Sequence, residues 1–68
     1  MFVLLLEIDV TPGTEKIVFE KLAAFPEIVE SYLVTGGHDI IAIVETESME
    51  RVFEVVMNVR RLKEVVKT

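Results

Sequence analysis

The sequence predicts an α+β fold with the order β-α-β-β-α-β, a four-stranded antiparallel sheet carrying two helices on one face. Three observations lead there. Two stretches space their apolar residues at helical intervals, and each follows a run of strand character. The second and third strand-like runs meet at Gly36-Gly37, and paired glycines between two such runs signal a β-hairpin. A short valine-bearing run after the second helical stretch completes the order.

Residues 2–10 place Phe2, Leu4, Leu6, Ile8 and Val10 on one side and Val3, Leu5, Glu7 and Asp9 on the other. A half-solvated strand alternates apolar and polar throughout. This one is apolar on both sides over its first half, so both of its faces are expected to be buried. Thr11-Pro12-Gly13-Thr14 is a turn, in which Pro12 pre-sets φ and Gly13 relaxes it. Thr11 or Thr14 is expected to cap the helix that follows. From Glu15 to about Phe25 the spacing is helical, with Val18, Leu22 and Phe25 on one stripe, Ile17 beside them, and Lys16, Glu20 and Lys21 opposite. Pro26 is expected to end this helix, because the residue before proline disfavours the α region.

Residues 27–35 alternate again, Ile28, Tyr32 and Val34 against Val29, Ser31 and Leu33. After the glycines, residues 38–46 hold Ile40, Ile41, Ala42, Ile43 and Val44. That run is apolar on both faces and predicts a central strand. Ser48 caps the second helix, whose inner stripe is Val52, Val55, Val56 and Val59, widened by Phe53 and Met57. Valine is a mediocre helix former, so period and length carry this assignment. The helix ends near Arg60 or Arg61, and residues 63–68 form a short last strand through Val65 and Val66. This order is the split βαβ pattern of ferredoxin-like domains. The helices cover one sheet face. The two-sided apolarity of the first and third strands requires a cover on the other, and a second copy, sheet to sheet, supplies it.

Size supports the same expectation. The 68 residues are read as a single domain, residues 1–68. A domain this small buries only ~60% of its unfolded-state surface and usually needs disulfides, a structural metal or oligomerisation. There is no cysteine and one histidine, which excludes disulfides and an intrachain structural zinc site. Self-association is the remaining support. Hydrophobic residues make up 51% of the chain, more apolar surface than one small interior takes in. No run approaches the roughly 18 apolar residues of a membrane helix, and Met1 leads into a strand without a basic leader. A cytoplasmic protein that does not enter membranes is expected. The net charge of −5 and the scattered seven basic residues argue against direct nucleic-acid binding.

The candidate site is Thr35, Gly36, Gly37, His38 and Asp39. Gly36 and Gly37 offer bare N–H groups to a ligand carboxylate, or serve only the geometry of a tight hairpin. Asp39 offers an acceptor to an α-amino group, or closes an Asx-type turn on its own backbone. His38 contacts a ligand side chain or titrates near neutrality, or bonds locally beside the turn. As neighbours at a strand start, His38 and Asp39 should point to opposite faces, which argues against a catalytic pair or a shared metal. Tyr32 and Thr35 flank the turn, either lining the same cleft or packing at the edge of the core. Glu27, Glu30, Glu45 and Glu47 are expected to be solvated strand ends or rim. Arg60, Arg61 and Lys63 are expected to form a solvated edge.

Several short motifs in this order carry a resemblance. They are Thr11-Pro12-Gly13 after the first strand, Phe25-Pro26-Glu27-Ile28-Val29 into the second, Thr35-Gly36-Gly37-His38-Asp39-Ile40 at the glycine turn, and Val65-Val66-Lys67-Thr68 at the end. Together they resemble the effector-binding (RAM) domain of the Lrp/AsnC, or feast/famine, transcription regulators. The resemblance implies a ferredoxin-like fold, homodimers formed through the sheets, and rings of dimers, often four. It further implies an amino-acid effector bound between dimers near residues 35–39, with no cofactor and no catalysis. Full-length members carry a helix-turn-helix ahead of this domain. This chain resembles a stand-alone form, expected to act with full-length regulators. Three features depart from the pattern: His38 stands where an aromatic is usual, Glu64 where glycine is common, and the last strand ends at Thr68.

Two other readings follow from the residues. One is a small dimeric ferredoxin-like enzyme, of the cofactor-free monooxygenase or isomerase type, with His38 as base in a closed, polar-lined cavity. The other is a purely structural assembly subunit.

Overall fold

The computed structural model describes residues 1–68. The elements are β1 (Phe2–Val10), α1 (Glu15–Leu22), β2 (Ile28–Leu33), β3 (Ile40–Thr46), α2 (Met49–Arg60) and β4 (Val65–Lys67). The sheet order is β2-β3-β1-β4 and every neighbouring pair is antiparallel. The fold is ferredoxin-like, with both helices on one face. The doubly apolar runs are the two central strands, β1 and β3.

Residues directly opposed in an antiparallel pair share a face. Leu4–Val44, Leu6–Ala42 and Ile8–Ile40 therefore make the inner row, and Val3–Glu45, Leu5–Ile43 and Glu7–Ile41 the outer row. The inner row packs with Val18 and Leu22 of α1 and Val55 and Val59 of α2 as one aliphatic core. The outer row has no cover within the chain: Val3 is 61% exposed and Leu5 59%.

Local chemistry departs from expectation in several places. The α1 helix stops at Leu22, not Phe25. The Ala23, Ala24 and Phe25 amides bond back three residues, to the carbonyls of Glu20, Lys21 and Leu22. The chain has thus tightened into successive 3₁₀-type turns before it reaches Pro26. Over so short a helix Ile17 faces solvent, and Phe19 packs against the core instead. Neither threonine caps α1 with its side chain. The Thr14 hydroxyl donates to the Thr11 carbonyl at 2.6 Å, tightening the turn, while Gly13 N–H donates to Glu15 Oε1. Ser48 does cap α2, its Oγ accepting from Arg51 N–H.

A β-bulge at Val29 separates the pairs Ile28–Val44 and Glu30–Ile43. One extra residue reverses the alternation beyond it. Ser31 and Leu33 join the inner row with Ile28, while Glu30 and Tyr32 join the outer row opposite Ile43 and Ile41. Tyr32 therefore lies on the opposite face from Ile28, contrary to the simple alternation. On α2, Phe53 and Met57 do not widen the inner stripe; both are exposed on the helix's outer side.

Two ion pairs fasten the helices to the sheet layer. Glu27 is not a solvated strand end. Its Oε2 accepts from Arg51 Nε at 2.9 Å and Nη2 at 2.6 Å, tying the approach to β2 to the first turn of α2. Glu64 is buried, and both its carboxylate oxygens lie 3.0 Å from Lys21 Nζ. The Lys21 ammonium holds the Glu64 carboxyl below its ordinary value of 4.5, against the opposing effect of burial. A carboxylate whose folded pKa is depressed adds stability above the unfolded pKa and loses it as pH falls through the folded one. The thermal midpoint is thus expected to drop as pH is lowered below about 4.5. Glu64→Gln should show a shallower drop, read by circular dichroism melts across the acid range.

Candidate functional site

The connection between β2 and β3 spans six residues, 34–39, and is not the tight hairpin expected of two adjacent glycines. Val34 N–H donates to the Asp39 carbonyl at 3.0 Å and closes the loop at its base. Within this loop only Gly36 has a positive φ, +109°. No atom lies within 4 Å of where a Cβ would sit on Gly36 or Gly37. Both glycines, with Thr35, face solvent, so this bare backbone is open to a ligand. Because space is free at both positions, a substitution reads backbone conformation alone. Gly36→Ala is expected to cost about 1–3 kcal/mol, and Gly37→Ala within about 0.5 kcal/mol of nothing. Urea denaturation of the two variants checks the difference.

The loop is longer because Asp39 is pulled onto β1. Its N–H donates to the Ile8 carbonyl at 3.1 Å. Its Oδ2 accepts from Val10 N–H at 2.9 Å. The carboxylate thus stands in for the next rung of the β1–β3 ladder. This replaces the Asx-type turn: the bonded backbone lies 29 residues away. Oδ2 is committed, and only Oδ1 remains for an incoming donor. Asp39→Ala leaves the Val10 amide without its acceptor and is expected to cost about 1–3 kcal/mol, measured by the same denaturation.

His38 takes a separate course. Its Nε2 lies 2.7 Å from Glu7 Oε2 and its Nδ1 3.2 Å from Asp9 Oδ1. It does not meet the Asp39 carboxylate; both residues lie in the loop ahead of β3 rather than at a strand start as expected, so the pleat does not decide it, and its partners come from β1.

Glu7 and Asp9 were legible only in part. Their i, i+2 spacing on the outer face of the first strand was visible. Their meeting with His38 depends on the β1–β3 register. Tyr32 sits on the outer sheet face, bonded through its hydroxyl to Glu30, while Thr35 is exposed in the loop.

Two hollows mark the surface, both open to solvent. One of about 220 Å³ lies between α1 and the edge strand, lined by Phe19, Ala23, Ile28, Val29, Glu30 and Ser31. The other, of about 310 Å³, lies on the outer side of α2. Neither contains any of residues 35–39, which form a projecting loop pinned at its base. No three His, Cys, Asp or Glu side chains are arranged to hold a metal ion, and no helix is long and apolar enough to cross a membrane.

This geometry has close counterparts. A family model described as the Lrp/AsnC ligand binding domain matches residues 3–68. Among solved structures, the chain is similar to FFRP-DM1, with a TM-score of 0.93 and 31% identity over 98% of this chain and 91% of that one. It is similar to a protein from Thermus thermophilus, with a TM-score of 0.92 and 26% identity over 98% and 85% of the two chains. It also resembles a hypothetical protein from Pyrococcus horikoshii, with a TM-score of 0.92 and 31% identity over 98% and 82%. No curated protein matches it.

Proposed function

From the premise that this chain belongs to the Lrp/AsnC ligand-binding domain family, we propose that it is a cytoplasmic amino-acid-sensing module that acts through self-assembly. The observation that carries the reading is the 34–39 loop, exposed bare backbone anchored at its base to a central strand. Gly36 and Gly37 N–H groups suit an α-carboxylate, and Asp39 Oδ1 suits an α-amino group as a charge-assisted acceptor. Thr35 and His38 flank that position. A lone loop does not enclose a ligand, so the site is completed by a neighbouring dimer. The homodimer forms through the outer sheet face, where Val3, Leu5, Ile41 and Ile43 make an apolar row. Dimers then join into a ring of the octamer type, alone or together with full-length regulators of the family.

Calorimetric titration with each of the twenty amino acids, with light scattering in parallel, tests this. A saturable heat abolished by Asp39→Asn is the expected result. No heat from any amino acid and no change in assembly would end the sensor reading. An enzyme with His38 as base is the weaker alternative. It needs an enclosed polar cavity, whereas His38 lies toward the outer face between Glu7 and Asp9 and the interior is aliphatic.

A further inference from the structure

The outer side of α2 carries an apolar surface that the core does not use. Met49, Phe53 and Met57 follow at i, i+4 and i+8 and are 44%, 65% and 45% exposed. At that spacing they stand one above another as a single stripe. The helix's other stripe, Val52, Val55 and Val59, is already buried in the core. Single exposed apolar residues are ordinary. Here three stand in register beside a hollow lined by Phe53, Glu54, Met57, Asn58 and Arg61. One short length of helix thus offers both a projecting apolar ridge and a recess. An isologous contact requires such self-complementarity.

The charges select the occupant and its direction. Glu50 and Glu54 lie in the N-terminal half of α2 with Arg51, whose guanidinium is held by Glu27, and Arg60 and Arg61 lie at its C-terminal end. A parallel second copy would set like charges together. An antiparallel copy centred on Met57 sets Glu54 opposite Arg60 and Phe53 opposite Arg61, twice by symmetry. It also opposes the helix dipoles. A guanidinium over an aromatic face is attractive in its own right. Glu54 now pairs with Arg51 of its own helix at 2.5 Å, an exposed pair of small worth that exchange does not forbid.

We propose that Phe53 and Met57 form the centre of an antiparallel α2–α2 contact between two copies of this chain. It rests on the assembly reading above and names a surface through which sheet-paired dimers join. Two different isologous contacts on one chain carry assembly beyond the dimer.

The test is solution mass by light scattering and sedimentation for the full chain, Phe53→Glu, Leu5→Glu and the double variant, each shown folded by circular dichroism. Phe53 is solvent-facing, so its variant should fold; Met57→Lys is the second choice. The wild type should exceed a dimer, either single variant should reduce the mass at least twofold, and the double should be monomeric. Arg60→Glu should weaken the contact, and Glu54→Arg added to it should restore the mass. An unchanged mass for Phe53→Glu overturns the α2 contact. A dimeric wild type that Leu5→Glu alone makes monomeric also overturns it, and leaves the sheet pairing standing. If Phe53→Glu gives monomers while Leu5→Glu changes nothing, the sheet pairing fails and the α2 contact stands.

Discussion

Leu5→Glu is expected to abolish pairing through the sheet while leaving each chain folded. Leu5 lies on the central strand β1, opposite Ile43 in the outer row, with Val3 and Ile41 nearby. In a single chain its side chain meets water, being 59% exposed, so the substitution should change the stability of the fold by only about 0.5 kcal/mol. In the proposed face-to-face dimer the same position is buried in the interface. Each copy then loses the burial of a leucine, about 1.5–3 kcal/mol. Each also places a carboxylate among aliphatic neighbours at a further cost of several kcal/mol. Two copies together amount to many orders of magnitude in dissociation constant, since about 1.4 kcal/mol is tenfold. Sedimentation velocity with far-ultraviolet dichroism separates loss of pairing from loss of fold. A dimer that persists in the variant would place the pairing surface elsewhere.

Leu22→Ala is expected to be the most damaging single change within one chain. Leu22 is fully buried and is, with Val18, one of two buried anchors on the eight-residue α1. A helix that short does not persist on its own in water and depends on tertiary packing. Truncating a buried leucine costs about 2–5 kcal/mol. A chain of this length has roughly 3–10 kcal/mol in total at 0.05–0.15 per residue. The variant should therefore lose a large part of its stability, seen as a lower urea midpoint and a lower thermal midpoint. Ile17→Ala, on the exposed side of the same helix, should cost no more than about 0.5 kcal/mol. Equal losses for the two would mean that α1 packs by a different face.

The α1 case also marks where local pattern stops informing. The i, i+4 pair Val18 and Leu22 identified the buried stripe correctly, because helical period is a property of the local chain. The same pattern did not say where the helix ends, since Phe25 continues the period while the backbone has already turned. Phe53 and Met57 show a related failure. Adjacent to inner valines, they read as a wider inner stripe, yet on α2 only Val52, Val55 and Val59 are buried. For the site, the exposed loop and its glycine were legible. The committed oxygen of Asp39 was not, because it reaches an amide 29 positions away.

By itself the sequence determined the element order, the identity of the two central strands, the valine core of α2 with its Ser48 cap, and the place of the glycine loop. All of these follow from short-range periodicity, turn chemistry and the excess of apolar residues over one small interior. Only the tertiary structure decided how the strands register. Register moved Tyr32 to the outer face through the bulge at Val29 and set His38 between Glu7 and Asp9, and the docking of α1 brought Lys21 to Glu64 across 43 residues. The physical reason is common to all three. Period-2 and period-3.6 patterns say which side of an element a residue occupies. Which distant residue it meets is settled when strands pair and helices dock, and a single inserted residue reverses the answer.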